Sequence, residues 1–174
     1  VDCSRTEPRS ALRKTLTQAV REAGAVALLH FGAVTTQYKG KANIVTEADF
    51  ACEQRILDII LARYPGHDFL TEERPPRLVG ADYTWIIDPI DGTANFLRGV
   101  PIWGTLIGLA VDGVPVVGVV SAPALGRRWW GARGQGAWAR ESAGAESRRL
   151  QVSGVGELAD ARLSYNSLRG WDEE

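Results

Sequence analysis

Three short acidic segments of the sequence carry carboxylates in settings that can support chemistry. They are residues 43–49 (Asn-Ile-Val-Thr-Glu-Ala-Asp), 71–73 (Thr-Glu-Glu) and 88–93 (Asp-Pro-Ile-Asp-Gly-Thr), with Lys39 upstream of the first. In the third segment Asp88 follows the apolar run Trp-Ile-Ile, so we expect it to close a buried strand. An unpaired charge at such a place is costly. Asp88 is therefore expected to meet a cation.

The residues after Asp88 combine ligands for a cation with donors for an anion. Pro89 lacks an N–H group and has a fixed φ angle, so we expect a sharp exit from the strand. A short helix is predicted over residues 93–97, directly after Asp91 and Gly92. The unpaired N–H groups at a helix start suit a phosphate. One turn thus offers carboxylates to a metal ion and backbone donors to an anion.

This set of donors favours a hard divalent cation and hydrolytic phosphate chemistry. Mg²⁺ prefers carboxylate and carbonyl oxygens and shares phosphate oxygens with a substrate, and the sequence has no His or Cys cluster for a softer metal. Such an ion polarises a phosphate and lowers the pKa of a bound water. An isolated Asp-Gly-Thr is more often a plain turn, and Glu72-Glu73 alone would be a solvated loop. The ordered set favours a site for metal-assisted phosphoryl transfer to water.

Composition excludes several classes of function. Of the 174 residues, 24% are charged and 45% hydrophobic, which is ordinary for a globular domain. The net charge of −1 lacks the basic excess of a nucleic-acid or anionic-membrane binder. No apolar run approaches the ~18–20 residues that span a bilayer, and the first residues are not expected to be a signal peptide because no apolar stretch follows a basic start. Cys3 and Cys52 make no disulfide framework, so a reducing cytoplasm is expected. Val1 is an alternative start or the edge of a fragment.

Two helices precede a hairpin-rich region, which predicts an α+β fold. Apolar residues at three- and four-residue steps predict a helix over residues 10–31, ended by Gly32. Thr46 is the expected N-cap of a second helix over residues 46–64, which residues 65–66 (Pro-Gly) would end.

The second half of the sequence predicts strands. Two apolar runs joined by Asp112-Gly113 predict a hairpin. Arg127-Arg128 beside two tryptophans resembles a nucleic-acid stacking patch, but its alternation within a neutral chain favours a strand. The expected strands are residues 83–87, 105–111, 114–120, 128–132 and 137–139, followed by a polar loop over residues 140–148.

Three ordered motifs resemble the inositol monophosphatase family. Residues 85–96 (Trp-Ile-Ile-Asp-Pro-Ile-Asp-Gly-Thr-Ala-Asn-Phe) look like the family signature, and residues 43–49 and 69–73 match its two upstream acidic motifs in order and at fitting distances. The resemblance runs from near residue 10 to the end. It implies an Mg²⁺-dependent, lithium-sensitive phosphomonoesterase built as an alternating αβαβα sandwich. This chain would form its N-terminal part, two helices packed on a largely antiparallel sheet.

Carried over residue by residue, the resemblance implies a site for two or three metal ions. Glu72, Asp88 and the backbone carbonyl of Ile90 would hold the first Mg²⁺. Asp88 and Asp91 would share the second, and Glu72 with waters would help to hold a third. Mn²⁺ is expected to substitute for Mg²⁺. Lys39 matches the family pattern only loosely.

The resemblance also implies which residues act on the substrate. Thr93 would orient the attacking water, with Asp49 and Glu73 supporting that water and the metal shell. Asp91 and the N–H groups of Gly92 and Thr93 would bind the phosphate of a small phosphomonoester.

The family's further metal ligand, an Asp in a Trp-Asp-x-Ala motif of the C-terminal half, has no counterpart. The sequence ends in Trp-Asp-Glu-Glu, but only 84 positions separate Asp88 from Asp172, and Glu-Glu replaces the small apolar residues of the family. Residues 163–168 look instead like the first strand of a C-terminal subdomain. We therefore expect a truncated chain, with a metal- and phosphate-binding subdomain over residues 1–145 and the beginning of an incomplete one over residues 146–174.

Substrate and assembly are indicated more weakly. Residues 98–103 and 121–138 are similar to the matching runs of bacterial histidinol-phosphate phosphatases in this family. Histidinol phosphate is therefore the expected substrate, and inositol 1-phosphate is the second candidate. In a hypothesis from another class, the chain is a truncated, catalytically inert product that binds metal or pairs with a subunit. Weak Mg²⁺ binding, little turnover and self-association through exposed apolar surface are expected. The resemblance leaves a homodimer open, and no nucleic-acid or membrane partner is expected.

Overall fold

The computed structural model of the protein describes residues 9–32, 36–38, 44–142 and 144–164. Three α-helices, two short 3₁₀ helices (Pro123–Leu125 and Leu158–Asp160) and nine strands lie in this part of the chain. The α-helices are α1 (Arg9–His30), α2 (Glu47–Leu61) and α3 (Thr93–Leu97). The strands are β1 (Thr36–Tyr38), β2 (Ile44–Thr46), β3 (Asp68–Thr71), β4 (Tyr83–Asp91), β5 (Gly104–Val111), β6 (Val114–Ala122), β7 (Arg127–Ala132), β8 (Gly136–Arg140) and β9 (Arg148–Leu150).

Seven strands form one sheet in the order of the chain, from β3 to β9. β3 and β4 run parallel, and each later pair of neighbours is antiparallel. β1 and β2 form a separate antiparallel pair. The predicted α+β class with a largely antiparallel sheet is therefore confirmed.

α1 and α2 pack against each other and against the middle of the sheet. α1 contacts β5 and β6, and α2 contacts β4. The buried side of α1 carries the predicted apolar stripe, which includes Leu12, Leu16, Val20 and Ala27. The helix predicted over residues 10–31 is thus confirmed to within a residue at each end. Among the described helices, none combines the length and the apolar character needed to cross a membrane.

α2 begins as predicted, with Thr46 as its N-cap. It ends at Leu61 rather than Tyr64, which corrects the expected C-terminal bound. Tyr64 precedes Pro65, and a proline ring pushes the residue before it out of the helical conformation. The Tyr64 N–H still donates to the Ile60 carbonyl at 2.8 Å, which closes a final turn.

β5 and β6 are joined by the predicted two-residue turn. Asp112 has φ 49° and Gly113 has φ 76°. Two positive φ angles in succession match the right-handed twist of the paired strands, which is why Asp-Gly favours this hairpin. The predicted hairpin is confirmed, and so are the two strands that follow it.

One of the C-terminal predictions needs a correction. The loop expected over residues 140–148 is shorter, because Arg140 ends β8 and Arg148 begins β9, which pairs with β8. Leu163 and Ser164, the described residues of the strand expected over residues 163–168, lie outside any strand. The rest of that segment lies outside the described residues. The subdomain boundary after residue 145 stays a prediction.

The sheet buries one face beneath the helices more completely than the other. Side chains alternate between the two faces along a strand. Trp85, Ile87 and Leu109 belong to the face beneath the helices and are buried. On the opposite face Ile86 is 45% exposed and Val120 is 37% exposed. We call this second surface, marked by Ile86 and Val120, the open face.

Cys52 and His67 have structural roles. The Cys52 thiol donates to the Ala23 carbonyl at 3.4 Å, and burial raises its pKa to about 12. His67 accepts a hydrogen bond at Nδ1 from Trp85 Nε1 at 3.0 Å, and its ring stacks on Tyr83. Cys52 therefore links α2 to α1, and His67 links the segment after α2 to β4.

Candidate active site

β4 continues through Asp88 to Asp91, which corrects the expectation of a strand that closes at Asp88 with a sharp exit at Pro89. Pro89 lies beyond the last residue pair of β3 and β4, so its missing N–H breaks no hydrogen bond to β3. A register shift against β5 lies between Asp88 and Asp91. The buried hydroxyl of Thr105 donates to the Pro89 carbonyl at 2.9 Å and holds this irregular segment. Such bulges bend a strand and redirect its side chains.

Asp88 lies at the centre of the acidic residues. Its side chain is half-buried, and within the described residues its Oδ1 atom has no hydrogen-bond partner. Burial, a hydrogen bond with Glu72, and the charges of Glu72, Asp91 and Asp49 raise the pKa of Asp88 to about 8. Carboxylates from all three acidic segments are therefore close enough to oppose ionisation of Asp88.

Asp49 lies in the first turn of α2 and is 1% exposed. Its carboxylate accepts hydrogen bonds from the Thr46 N–H, at 2.8 Å, and from the Thr46 hydroxyl. The Asp49 N–H donates back to Thr46 Oγ1 at 3.4 Å. Burial raises the pKa of Asp49, and the hydrogen bonds from Thr46 partly oppose this rise.

Asp49 and Thr46 thus form a capping box, in which each residue satisfies a polar group of the other. The Thr-x-x-Asp spacing at residues 46–49 is the signal in the sequence that predicts such a pair. Asp49 therefore has a structural role at the start of α2, beside the supporting role that the resemblance implies.

The segment Glu72-Glu73 follows β3 and is fixed through its backbone. The Glu72 N–H donates to the Ile87 carbonyl of β4 at 3.2 Å. The Glu73 N–H donates to Glu53 Oε2 of α2 at 3.0 Å. The Glu72 side chain is exposed and the Glu73 side chain is half-buried. The first carboxylate is therefore accessible beside Asp88 while its backbone is held by two different elements.

Glu53 is a buried carboxylate that reasoning from the sequence missed. It is 0% exposed in α2, and its Oε1 atom lies 3.4 Å from Nε of Arg74. A buried charge persists only when it is paired and hydrogen-bonded. Glu53 therefore ties the Glu72-Glu73 segment to α2. The available signal was its spacing, because Glu53 stands four residues after Asp49 on the same side of the helix.

Gly92 forms the junction between β4 and α3. Its φ of 89° is left-handed, and a Cβ atom there would lie 3.1 Å from the Ile102 carbonyl oxygen. The Gly92 carbonyl accepts hydrogen bonds from the N–H groups of Asn95 and Phe96. α3 then begins at Thr93, as predicted. The first N–H groups of a helix have no acceptor within it, so they are available to other acceptors.

Thr93 and Ile90 are joined across this junction. Thr93 Oγ1 donates to the Ile90 carbonyl at 3.1 Å. The Thr93 side chain is half-buried, whereas Asp91 beside it is exposed. Because a carbonyl oxygen has two lone pairs, the Ile90 oxygen keeps capacity for a second partner.

The donors of this region fit a hard divalent cation in their chemistry. Asp88 offers a buried oxygen that has no hydrogen-bond partner among the described residues, and Glu72 and Asp91 offer exposed carboxylates. Oxygen is the donor that Mg²⁺ prefers. Over the described ranges, no three side chains of His, Cys, Asp or Glu form a group that encloses a metal ion. Asp88 and Glu72 share a hydrogen bond. This bond uses carboxylate lone pairs that would otherwise be available to coordinate a metal ion. The donor types are therefore present without a closed coordination shell.

Three residues of the sequence-based prediction lie outside the described residues. They are Lys39, Asn43 and Asp172. Their expected relations to the site stay predictions.

Comparison with known proteins supports the grouping of these motifs. A sequence model of the inositol monophosphatase family matches residues 9–171. This match includes each of the acidic segments described above.

Two curated relatives illustrate the similarity. The histidinol-phosphatase of Mycobacterium tuberculosis is 50% identical over 145 residues, which cover 82% of this chain and 55% of that protein. The fructose-1,6-bisphosphatase/inositol-1-monophosphatase of Aquifex aeolicus is 34% identical over 145 residues, which cover 82% of this chain and 53% of that protein. The chain thus spans about half the length of these relatives.

A solved structure shows the same architecture. The extragenic suppressor protein SuhB from Bartonella henselae matches with a TM-score of 0.76 at 30% sequence identity, over 83% of this chain and 55% of that chain. The arrangement of two long helices on a largely antiparallel sheet is therefore shared with that protein.

Proposed function

The chain belongs to the inositol monophosphatase family, and we propose that it carries the metal- and phosphate-binding part of an Mg²⁺-dependent phosphomonoesterase. The observation that carries the proposal is Asp88, a half-buried carboxyl surrounded by three others with one oxygen unpartnered among the described residues. A bound divalent cation would offset the repulsion between these carboxylates, so the acidic cluster favours metal binding.

The metal ligands in this proposal are those implied by the family resemblance. Glu72, Asp88 and the Ile90 carbonyl would hold the first ion, Asp88 and Asp91 would hold the second, and Glu72 with waters would contribute to a third. Mn²⁺ substitutes for Mg²⁺. When bound, such ions polarise the phosphate and stabilise the charge on the leaving oxygen.

Thr93 has a geometry suited to positioning water. Its hydroxyl proton is directed to the Ile90 carbonyl at 3.1 Å, so lone pairs on Oγ1 remain to accept a hydrogen bond from a water. Glu73 and Asp49 support that water through the surrounding acidic shell. Asp91 and the N–H groups of Gly92 and Thr93, at the start of α3, orient the phosphate of the substrate.

Histidinol phosphate is the substrate that we propose. The relative named histidinol-phosphatase is 50% identical, against 34% for the relative whose name includes inositol-1-monophosphatase. Inositol 1-phosphate is the second candidate on the strength of that second relative. A cytoplasmic location and a homodimer belong to the same proposal.

The alternative hypothesis is a chain that binds metal without turnover. The chain spans 55% of the Mycobacterium tuberculosis relative, and the distal Asp of the family pattern has no counterpart among its motifs. Metal binding and turnover therefore need separate measurements.

The first experiment measures Mg²⁺ binding by the 174-residue chain with isothermal titration calorimetry. We expect weak binding that Asp88→Asn abolishes. Asp58→Asn is the matched control, because Asp58 is exposed on α2 and accepts a hydrogen bond from Gln54. Equal Mg²⁺ affinity in wild type and Asp88→Asn would place the metal elsewhere.

The second experiment measures phosphate release by this chain and by a chimera that continues into the C-terminal part of the Mycobacterium tuberculosis relative. The chimera should hydrolyse histidinol phosphate with a higher kcat/KM than inositol 1-phosphate, and only with Mg²⁺ or Mn²⁺. Undiminished activity in excess EDTA would refute the metal mechanism. Comparable kcat in the 174-residue chain would refute the inert alternative.

A further inference from the structure

A cationic cavity lies between α1 and strands β7 and β8, apart from the acidic site. Its volume is about 640 Å³, within the range of roughly 300–1,000 Å³ that is usual for small-molecule sites. None of the residues proposed to bind metal or phosphate lines it. Among the described residues, its walls include Arg13 and Arg21 of α1, Arg128 and Trp130 of β7, and Arg140 of β8.

Cationic side chains enter the cavity from both walls. Arg13 and Arg21 stand eight positions apart on α1 and therefore share one side of the helix. Arg128 of β7 and Arg140 of β8 supply the opposite wall. The single carboxylate among the described lining residues, Glu22, is held by ionic and hydrogen-bonded contacts with Arg55 and Gln18. Glu22 also interacts with the charge of Arg21, but five cationic side chains against this one carboxylate leave the described lining with a net positive charge.

The strand register places two arginines directly opposite each other. Arg128 and Arg140 are cross-strand partners in the β7–β8 pair. Like charges at such positions destabilise a sheet. Burial lowers the pKa of Arg128, and the nearby charges of Arg21 and Arg140 lower it further. A bound anion would convert this repulsion into attraction.

Two buried donors in the cavity wall have no acceptor within the described ranges. They are Nε of Arg128 and Nε1 of Trp130. A buried donor without a partner costs free energy. The adjacent Arg127 differs, because its Nε pairs with Glu141 at 3.1 Å. Trp103 Nε1 is likewise a buried donor without an acceptor in the described ranges, but it lies outside the cavity. The cavity is distinguished by two such donors on neighbouring positions of one strand face.

The wall formed by α1 is held close to the sheet. A Cβ atom on Gly24 would lie 2.8 Å from Pro123 Cγ, so only glycine permits this approach of α1 to the turn between β6 and β7. The distance between the arginines of α1 and those of β7 and β8 is therefore set by backbone packing. Pre-set donors lose less entropy when a ligand binds.

We propose that this cavity binds a small, multiply charged oxyanion. Guanidinium groups pair with phosphate and carboxylate oxygens through two parallel hydrogen bonds. Arg21, Arg128 and Arg140 would converge on the charged groups. The cavity volume exceeds what a single phosphate needs, which favours a diphosphate or a polycarboxylate over a monovalent anion. The site does not depend on the proposed phosphatase activity.

Pyrophosphate and citrate are the two probes, titrated separately into the 174-residue chain by calorimetry in metal-free buffer. At least one should bind, with an affinity that falls as ionic strength rises. The stronger binder identifies phosphate or carboxylate as the recognised group. Arg128→Gln and Arg21→Gln should each weaken that binding by about tenfold or more.

Two further variants serve as matched controls. Arg162→Gln removes the same charge at an exposed position away from the cavity and should leave the affinity unchanged. Asp88→Asn should also leave it unchanged, since the acidic site is separate. Arg21 is exposed on α1, so Arg21→Gln tests the site even where Arg128→Gln fails to fold.

Three results would overturn the proposal. One is the lack of binding of either probe at low ionic strength. Another is an affinity in Arg21→Gln equal to that of Arg162→Gln. The third is a changed affinity in Asp88→Asn, which would locate the anion at the acidic site.

Discussion

Asp88 binds its proton more tightly in the folded chain than in the unfolded chain. The ordinary pKa of an aspartate is 3.8, and burial with neighbouring carboxylates raises that of Asp88 to about 8. Between these values the folded state holds a proton that the unfolded state has released. The contribution of Asp88 to stability is therefore complete below pH 3.8 and is lost as the pH rises through about 8.

Asp88→Asn should remove this pH dependence. The variant should have a higher free energy of unfolding than the wild type above pH 8, because the amide carries no charge to bury. Urea titrations in metal-free buffer at several pH values would measure the free energy of unfolding of each variant, with Asp58→Asn as the exposed control. Parallel curves for wild type and Asp88→Asn would contradict the assigned environment of Asp88.

Thr93→Ala should affect turnover more than substrate binding. Loss of the hydroxyl removes the proposed acceptor for the attacking water, so kcat should fall by about 100-fold or more while KM changes little. Steady-state kinetics of the chimera would measure both constants. Thr93→Ser keeps the hydroxyl and should recover most of kcat. A variant in which KM rises and kcat is unchanged would assign Thr93 to substrate binding alone.

At the scale of elements, the start of α3 depends on a left-handed residue. Gly92 and Gly99 have φ of 89° and 70°, yet a Cβ atom at Gly92 would meet the Ile102 carbonyl oxygen whereas at Gly99 it would meet nothing within 4 Å. Each alanine substitution should cost about 1–2 kcal/mol of backbone strain. Gly92→Ala should cost more, because the clash is added.

Urea denaturation of the Gly92→Ala and Gly99→Ala chains would separate the strain from the clash. The difference between their free energies of unfolding measures the close approach of α3 to the segment before β5. Equal losses of stability would mean that the backbone relaxes around the new methyl group.

The start of α2 depends on the capping box of Thr46 and Asp49. Thr46→Ala should lower the free energy of unfolding by about 1–2 kcal/mol, because the helix loses its cap and Asp49 loses a donor. Thr46→Ser retains the hydroxyl and should stay close to the wild type. Chemical denaturation of both variants tests this. Similar stability of the alanine and serine variants would show that the hydroxyl contributes little.

The elements differ in how far the sequence predicts them. Local signals sufficed for α1, for the N-cap of α2 and for the Asp112-Gly113 turn, since periodicity, capping and turn chemistry act within a few residues. The continuation of β4 through Pro89 was not predictable in this way. It depends on where β3 ends and on a hydroxyl of β5, both of which are tertiary facts.

The residues of the candidate site also differ in how far the sequence predicts their roles. The residue types around Asp88 indicated a cation from sequence alone. The role of Glu53 did not emerge, because its partners Glu73 and Arg74 lie 20 or more positions along the chain. The opposed pair Arg128 and Arg140 likewise depends on strand register. When the partners of a side chain come from other helices or strands, the tertiary fold determines them, and the local sequence does not predict them.

At the scale of the whole molecule, the open face predicts self-association. Ile86 and Val120 expose apolar surface on one side of the sheet, and exposed apolar surface on a sheet face favours contact with another surface. Val120→Thr should weaken association by roughly tenfold, because each buried hydroxyl must be desolvated. Sedimentation velocity over a range of concentrations would measure it.

Val152→Thr is the matched control for this prediction. Val152 is 97% exposed and lies outside the strands, so the same chemical change there should leave association unchanged. Equal effects of the two substitutions would assign association to general hydrophobicity. A wild type that stays monomeric at every concentration would contradict the prediction itself.

The order of the strands also bears on biosynthesis. From β4 to β9 each strand pairs with the one made just before it, so the sheet can grow hairpin by hairpin as the ribosome releases the chain. α1 and α2 are synthesised first, but their apolar sides pack on β4, β5 and β6. Both helices must therefore wait for later segments before they can bury those sides. The nascent chain is thus most in need of a chaperone before β6 has emerged.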